Sequence, residues 1–228
     1  MIDLVATAHG TADPRGIREV HSLVRMMSRL RPDVPMSLGF VDVDLPDLPS
    51  LVSRVVADSN QAVVVPLLLS SGYHISVDVA AEVTRRPGFV VAAGALGPDP
   101  VLADVLASRL GSLRHIDRIV MAAAGSSDHR ALLDCSAVAA SLASLVDRPV
   151  EVGYVSGAGE RLSSVLSRSP RRTAVATYML APGYFADRVR HLATGRPVTP
   201  PLGADPRIAE LALTRYEAAL TTSLVSTP

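Results

Sequence analysis

The chain has 228 residues, enough for one large domain or two small ones. Its 48% hydrophobic content supplies a sizeable core, and 22 basic against 22 acidic residues leave no net charge, which argues against nucleic acid or another polyanion as partner. All 22 basic residues are arginine, so Schiff-base, P-loop and general-base lysine chemistry are excluded, and the lone Cys135 excludes disulfide frameworks, cysteine zinc sites and iron–sulfur clusters.

Met1–Gly10 carries Asp3 and no basic segment, so it does not read as a signal peptide. No apolar run approaches the roughly 20 residues that span a bilayer, and a cytoplasmic protein without membrane contact is expected. Strands are predicted at Ile2–Ala8, Pro35–Val41, Ala62–Leu69, Val90–Ala93, Arg118–Ala123, Pro149–Tyr154 and Thr173–Met179, with a weak one near Val198. Helices are predicted at Pro14–Leu30, Leu48–Ala57, Val79–Arg85, Pro100–Leu110, His129–Leu145, Gly159–Leu166, Phe185–Ala193 and Pro206–Thr221. Asp13-Pro14 reads as an N-cap followed by proline at the first helical position. The alternation of strand and helix predicts an α/β fold with parallel sheets, buried on both faces where runs such as "AVVVPLLL" occur.

The chain also repeats itself. "LVATAHGTADPR" (Leu4–Arg15) matches "IVMAAAGSSDHR" (Ile119–Arg130), and "PLLLSSGYH" (Pro66–His74) matches "TYMLAPGYF" (Thr177–Phe185). "LGPDPVLADVLASRL" (Leu96–Leu110) matches "LGADPRIAELALTRY" (Leu202–Tyr216). Three blocks in the same order predict two similar half-domains, 1–114 and 115–228, each a parallel sheet flanked by helices and joined near Gly111–Arg118. Duplication of an ancestral homodimer explains the pattern, and a monomer then supplies both halves of a cleft.

Two histidines stand out against this repeat. His9 follows the first predicted strand and His74 the third, on a loop that Gly72 lets turn. In open α/β sheets ligands bind beyond the carboxyl ends of strands, so both imidazoles are expected at one cleft. Imidazole binds divalent metals and takes a proton near neutrality. The second half has Ala124 and Phe185 at the matching positions, so the fold tolerates the loss of either ring.

"HGTADPRG" and "PLLLSSGYHISVD", together with the repeat, resemble the sirohydrochlorin chelatase family over nearly the whole chain. These are class II tetrapyrrole metal chelatases, here in the long two-half form. The resemblance implies insertion of Fe²⁺ or Co²⁺ into sirohydrochlorin, in sirohaem or cobalamin biosynthesis. His9 and His74 correspond to the catalytic and metal-binding pair. The family's acidic ligand, usually glutamate, corresponds to Asp42 in "LGFVDVDLPDLP". Aspartate is one methylene shorter, so Asp42 ligates directly or through water, and Asp44 is its alternative. The metal is substrate; no permanent cofactor is expected.

A polycarboxylate macrocycle needs anion partners. The motif loops, through Gly10, Arg15, Ser71, Gly72 and Tyr73, are expected to bind it, as are Ser126 and Ser127 before the helix at His129. Arg18, Arg85 and Arg86 are further candidates, although a surface arginine is the commoner role for any one of them. Asp78 either orients His74 or caps the following helix, and the cap is preferred. "GYVSGAGERL" (Gly153–Leu162) lacks the G-x-G-x-x-G spacing of a dinucleotide loop. His21, His115, His129 and His191 do not recur at metal-ligand spacing. The same cleft would also serve a non-catalytic metal or tetrapyrrole carrier, which turnover distinguishes, or a two-lobed binder indifferent to both histidines.

Overall fold

The computed structural model describes residues 2–59, 61–70 and 73–225; for residues 59, 73–76 and 223–225 it describes the backbone. The first half runs β1 (Asp3–Ala8), α1 (Pro14–Leu30), β2 (Met36–Phe40), α2 (Leu48–Ser59), β3 (Ala62–Pro66), α3 (Tyr73–Arg85), β4 (Val90–Ala92) and α4 (Pro100–Leu110). The second runs β5 (Arg118–Ala123), α5 (His129–Val146), β6 (Val150–Tyr154), α6 (Leu162–Arg168), β7 (Thr173–Tyr178), α7 (Tyr184–Leu192) and α8 (Pro206–Val225).

Both sheets are parallel, with orders β2-β1-β3-β4 and β6-β5-β7. The weak strand near Val198 survives as a single parallel bridge from Val198 to Val175, where β4 would stand in the first sheet. In each sheet the chain steps outward from the first strand to the second, then returns to the far side. Right-handed crossovers therefore put the first helix on one face and the next two on the other. The core divides accordingly. Val5, Val52, Val64 and Val79 pack beneath α2 and α3, and Val120, Val165, Val175 and Val189 beneath α6 and α7. The opposite faces of both sheets share one continuous core, including Leu4, Leu23, Met27, Leu102, Met121, Leu142, Ala212 and Tyr216.

That shared core arises from an exchange of helices. The final helix of the first repeat, α4, packs on α5 and β7 of the second sheet, while α8 packs on α1, β3 and β4 of the first. Polar contacts fix the exchange. The Tyr216 hydroxyl donates to the Ile2 carbonyl at 2.6 Å, Arg215 donates to the Ala95 and Leu96 carbonyls, and Arg109 donates to the Leu202 carbonyl at 2.9 Å. The repeat boundary in the sequence thus differs from the packing boundary between lobes. Tyr178 adds a further link, its buried hydroxyl donating to the Leu69 carbonyl at 2.7 Å.

Two helix starts differ from the sequence expectation by more than one residue. α6 begins at Leu162 rather than Gly159, because Gly157 and Gly159 take positive φ (66° and 90°) in the preceding loop. α3 begins at Tyr73 rather than Val79, so its first turn contains His74. The backbone of His74 is helical, not loop, and Asp78 lies inside the helix instead of capping it.

Candidate metal centre

The site begins where β1 and β2 run out. Backbone pairing continues past both strand ends: Val41 N–H donates to the Ala8 carbonyl and Asp42 N–H to the His9 carbonyl, each at 3.0 Å. The two loops then touch at Gly10. Its φ is +93°, and a Cβ there would stand 2.0 Å from the Asp42 carbonyl oxygen. Only glycine permits this approach, which fixes His9 beside Asp42. Gly10, expected to bind substrate, thus has a structural task at the cleft edge. Asp44 ties the loops further, its carboxylate accepting from Thr11 N–H at 2.7 Å. Asp42 is the exposed carboxylate, its side chain accepting from Val43 N–H at 2.9 Å.

His9 and Gly10 line a 780 Å³ cleft between the carboxyl ends of the two sheets. Its walls are mainly apolar: Phe40, Val43, Leu67, Leu68, Leu69, Tyr178, Tyr184 and Phe185 contribute, with Ser126 and Ser127 among the polar groups. Asp42 is not among the lining residues; it directly precedes Val43, which is. A large, flat, apolar body with polar edges suits such a space.

The second half reproduces the backbone and omits the chemistry. Val155 N–H donates to Ala123 and Ser156 N–H to Ala124, and a Cβ on Gly125 would stand 1.9 Å from the Ser156 carbonyl oxygen. Ala124 therefore occupies the place of His9, and Ser156 that of Asp42. Tyr184-Phe185 opens α7 as Tyr73-His74 opens α3. Phe185 is 40% exposed and meets Tyr184 edge-to-face at 5.4 Å. The serine in place of Asp42 has no counterpart in the matched sequence blocks; it is legible only once the loops are superposed through their hydrogen bonds.

Ser71 and Gly72 lie outside the described residues, and Tyr73 and His74 are placed by their backbone at the cleft end of α3. Among the described residues, no three His, Cys, Asp or Glu side chains gather as a metal-ligand group. His9 and Asp42 belong to the described part of the expected set.

The arginine candidates separate by position. Arg15 forks onto Asp13, the N-cap of α1, and also reaches Asp187 of α7 at 2.6 Å, bridging the lobes. Hydrogen bonds from the Arg15 side chain, then from its backbone N–H, lower the Asp13 carboxyl to about 2. Arg15 is thus occupied by protein carboxylates and lies outside the cleft lining. Arg18 is exposed on α1. Arg85 and Arg86 pair with buried Glu82 at the end of α3 remote from the cleft. The Ser126 hydroxyl accepts from Asp128 N–H at 3.0 Å, shaping the turn into α5, while Ser127 is exposed on the lining.

Cys135 also lines the cleft, yet burial, reinforced by the charge of Asp134, pushes its thiol up to about 12. It is protonated at neutral pH and is a poor metal ligand or nucleophile. In the native protein, labelling by an aromatic disulfide reagent at pH 8 is expected to lag labelling of the urea-unfolded chain by about 10²-fold or more. Equal rates would show an accessible, ionised thiol.

The CbiX family model matches twice, over residues 3–113 and 118–219. The chain belongs to the CbiX family. The paired match also recovers the internal repeat. Among solved structures, SirB from Bacillus subtilis with Fe³⁺ superposes with a TM-score of 0.79 at 19% identity, covering 99% of this chain and 98% of that one. The sirohydrochlorin chelatase SirB from Bacillus subtilis subspecies spizizenii, in complex with cobalt, gives 0.76 at 20% identity and 97% coverage of both chains. CbiX, described as the terminal enzyme of sirohaem biosynthesis in denitrifying bacteria, gives 0.71 at 17% identity, covering 95% and 99%. At these identities the likeness establishes the CbiX fold over the full length. No curated protein sequence matches the chain. Among the described residues no helix is long and apolar enough to cross a membrane.

Proposed function

We propose that this CbiX-family protein inserts a divalent metal, Fe²⁺ or Co²⁺, into sirohydrochlorin, with His9 and His74 binding the metal and accepting pyrrole protons. The observation that carries this reading is the asymmetry of the repeat. At three equivalent positions, two just past strand ends and one in the first turn of a helix, the first half has His9, Asp42 and His74, and the second has Ala124, Ser156 and Phe185. The ligand residue types are concentrated in the first half, at the edge of a mainly apolar cleft.

Insertion exchanges two pyrrole N–H protons for one M²⁺, so the site must hold a cation briefly and accept protons. Neutral imidazoles do both, and a nearby carboxylate offsets the added positive charge. Few ligands with open coordination positions favour release over storage. The SirB relatives carry iron or cobalt, which supports metal handling in this cleft and leaves both ions as candidates. Sirohydrochlorin absorbance, followed anaerobically with Fe²⁺ or Co²⁺ and catalytic amounts of protein, tests the reading. Many product molecules per protein are expected. A rate equal to the spontaneous reaction with both ions overturns it, and stoichiometric binding without turnover identifies a carrier.

A further inference from the structure

The repeat carries a second asymmetry, at the rim of the cleft. α1 and α5 start identically: Asp13 caps α1 and holds Arg15, and Asp128 caps α5 and holds Arg130. Both arginines fork onto their cap through Nε and Nη2, Arg130 at 3.2 and 2.8 Å to Asp128 Oδ2. In this pose Nη2 of Arg15 has a second proton left over, and with it reaches across the rim to Asp187, the fourth residue of α7. The structure itself thus shows where an arginine so held finds a second carboxylate: over the opposite lobe, in the first turn of the helix that follows the third strand.

Among the described residues Arg130 has no second carboxylate within hydrogen-bond reach; Asp134, one turn further along α5, acts on it through its charge. The fourth residue of α3, equivalent to Asp187, is Ser76, which carries no charge. The Arg130 side chain is 66% exposed, and Asp128 is its ion-pair partner among the described residues. Arg130 stands just outside the cleft lining, as Arg15 does, between Ser127 and Ala131, which both line it. The two sides of the rim differ in closeness too. On the tied side Gly16 faces the Pro182 carbonyl oxygen, 2.6 Å from where a Cβ would stand, and the matching residue of α5 is Ala131, which has that Cβ. The tie closes one side and leaves, on the other, a guanidinium held by its cap alone among the described residues, on the side of the helix that begins Tyr73-His74.

We propose that Arg130 binds a carboxylate of the tetrapyrrole, in the place that the Asp187 carboxylate takes against Arg15. This inference rests on the proposed chelatase reading for the identity of the ligand. The cap Asp128 takes Nε and one Nη2 proton and so pre-orients the guanidinium, leaving the other Nη2 proton and Nη1 for the ligand at little cost in side-chain freedom, and lysine cannot hold both carboxylates in this geometry. The macrocycle would then lie with its apolar face on the cleft wall and one acidic arm fixed at the open rim.

The test is a titration of the intact protein with sirohydrochlorin, without metal, followed by absorbance. Arg130→Gln is expected to raise Kd about tenfold or more, Arg130→Lys to give an intermediate value, and Arg54→Gln, on the exposed face of α2, to match the parent. An Arg130→Gln Kd within twofold of the parent overturns the inference, as does an equal loss in Arg54→Gln. Turnover with an Arg130-independent Kd removes this inference alone. Arg130-dependent binding without turnover keeps it and removes the chelatase reading. Absence of sirohydrochlorin binding by the parent removes both.

Discussion

At saturating sirohydrochlorin, His9→Ala and His74→Ala are each expected to lower kcat for metal insertion by about 10²-fold or more, with little change in thermal stability. The repeat supplies the reason for expecting stability to hold. Ala124 already stands at the end of β5 in the backbone setting of His9, and Phe185 opens α7 as His74 opens α3. The fold forms without either imidazole in the second half. If both rings act on one metal, the double variant should be little worse than either single one, because groups that work as a unit do not contribute additively. Multiplicative losses would assign the two histidines to separate steps. Intact turnover in both single variants would remove them from the chemistry.

Gly10→Ala and Gly125→Ala make a matched pair with a different outcome. Each glycine has positive φ, +93° and +100°, and each faces a carbonyl oxygen 2.0 or 1.9 Å from a would-be Cβ. Real Cβ atoms essentially never approach within 3.0 Å, so both loops must open by about 1 Å. Backbone strain of this kind costs about 1–3 kcal/mol. Both variants are therefore expected to lose similar stability in thermal denaturation. Their activities should diverge. In the first half the displaced pair is His9 and Asp42, and a misplacement of this size costs about 10²-fold in rate. In the second half the displaced pair is Ala124 and Ser156, and kcat at saturating tetrapyrrole should hold within a few-fold. Equal activity losses would contradict the assignment of the metal centre to the first half.

Much of the architecture is legible in the sequence because both-face burial writes strands as continuous apolar runs. The bounds of β5 and α1 agree with the expectation residue for residue, and those of the other strands differ by a few residues at one or both ends. The start of α3 was obscured by chemistry that points two ways. Ile75 and Val77 favour strands, and Asp78 before an apolar stretch imitates an N-cap, so the sequence puts the helix start at Val79, six residues later than Tyr73. The exchange of α4 and α8 has no sequence signature at all. An apolar helix face specifies burial, not which sheet supplies the partner.

The candidate site was readable for a different reason. A histidine just past a strand end, absent from the matching copy, is visible as a difference between two lines of sequence. The fate of Arg15 was not visible, since the carboxylate that engages it lies in α7, in the other half of the chain. Nor was Ser156, because the loop after β6 does not resemble the loop after β2 in residue type. Backbone hydrogen bonds, not side chains, make those two loops equivalent.

The most direct test of a first-half metal centre is anomalous diffraction from crystals soaked in Co²⁺. The expected result is one strong peak in the cleft, about 2.1 Å from an imidazole nitrogen of His9 and within ligation distance of His74, with Asp42 binding directly or through water. A peak on the Ala124 and Phe185 side, or a site formed without either histidine, would contradict it.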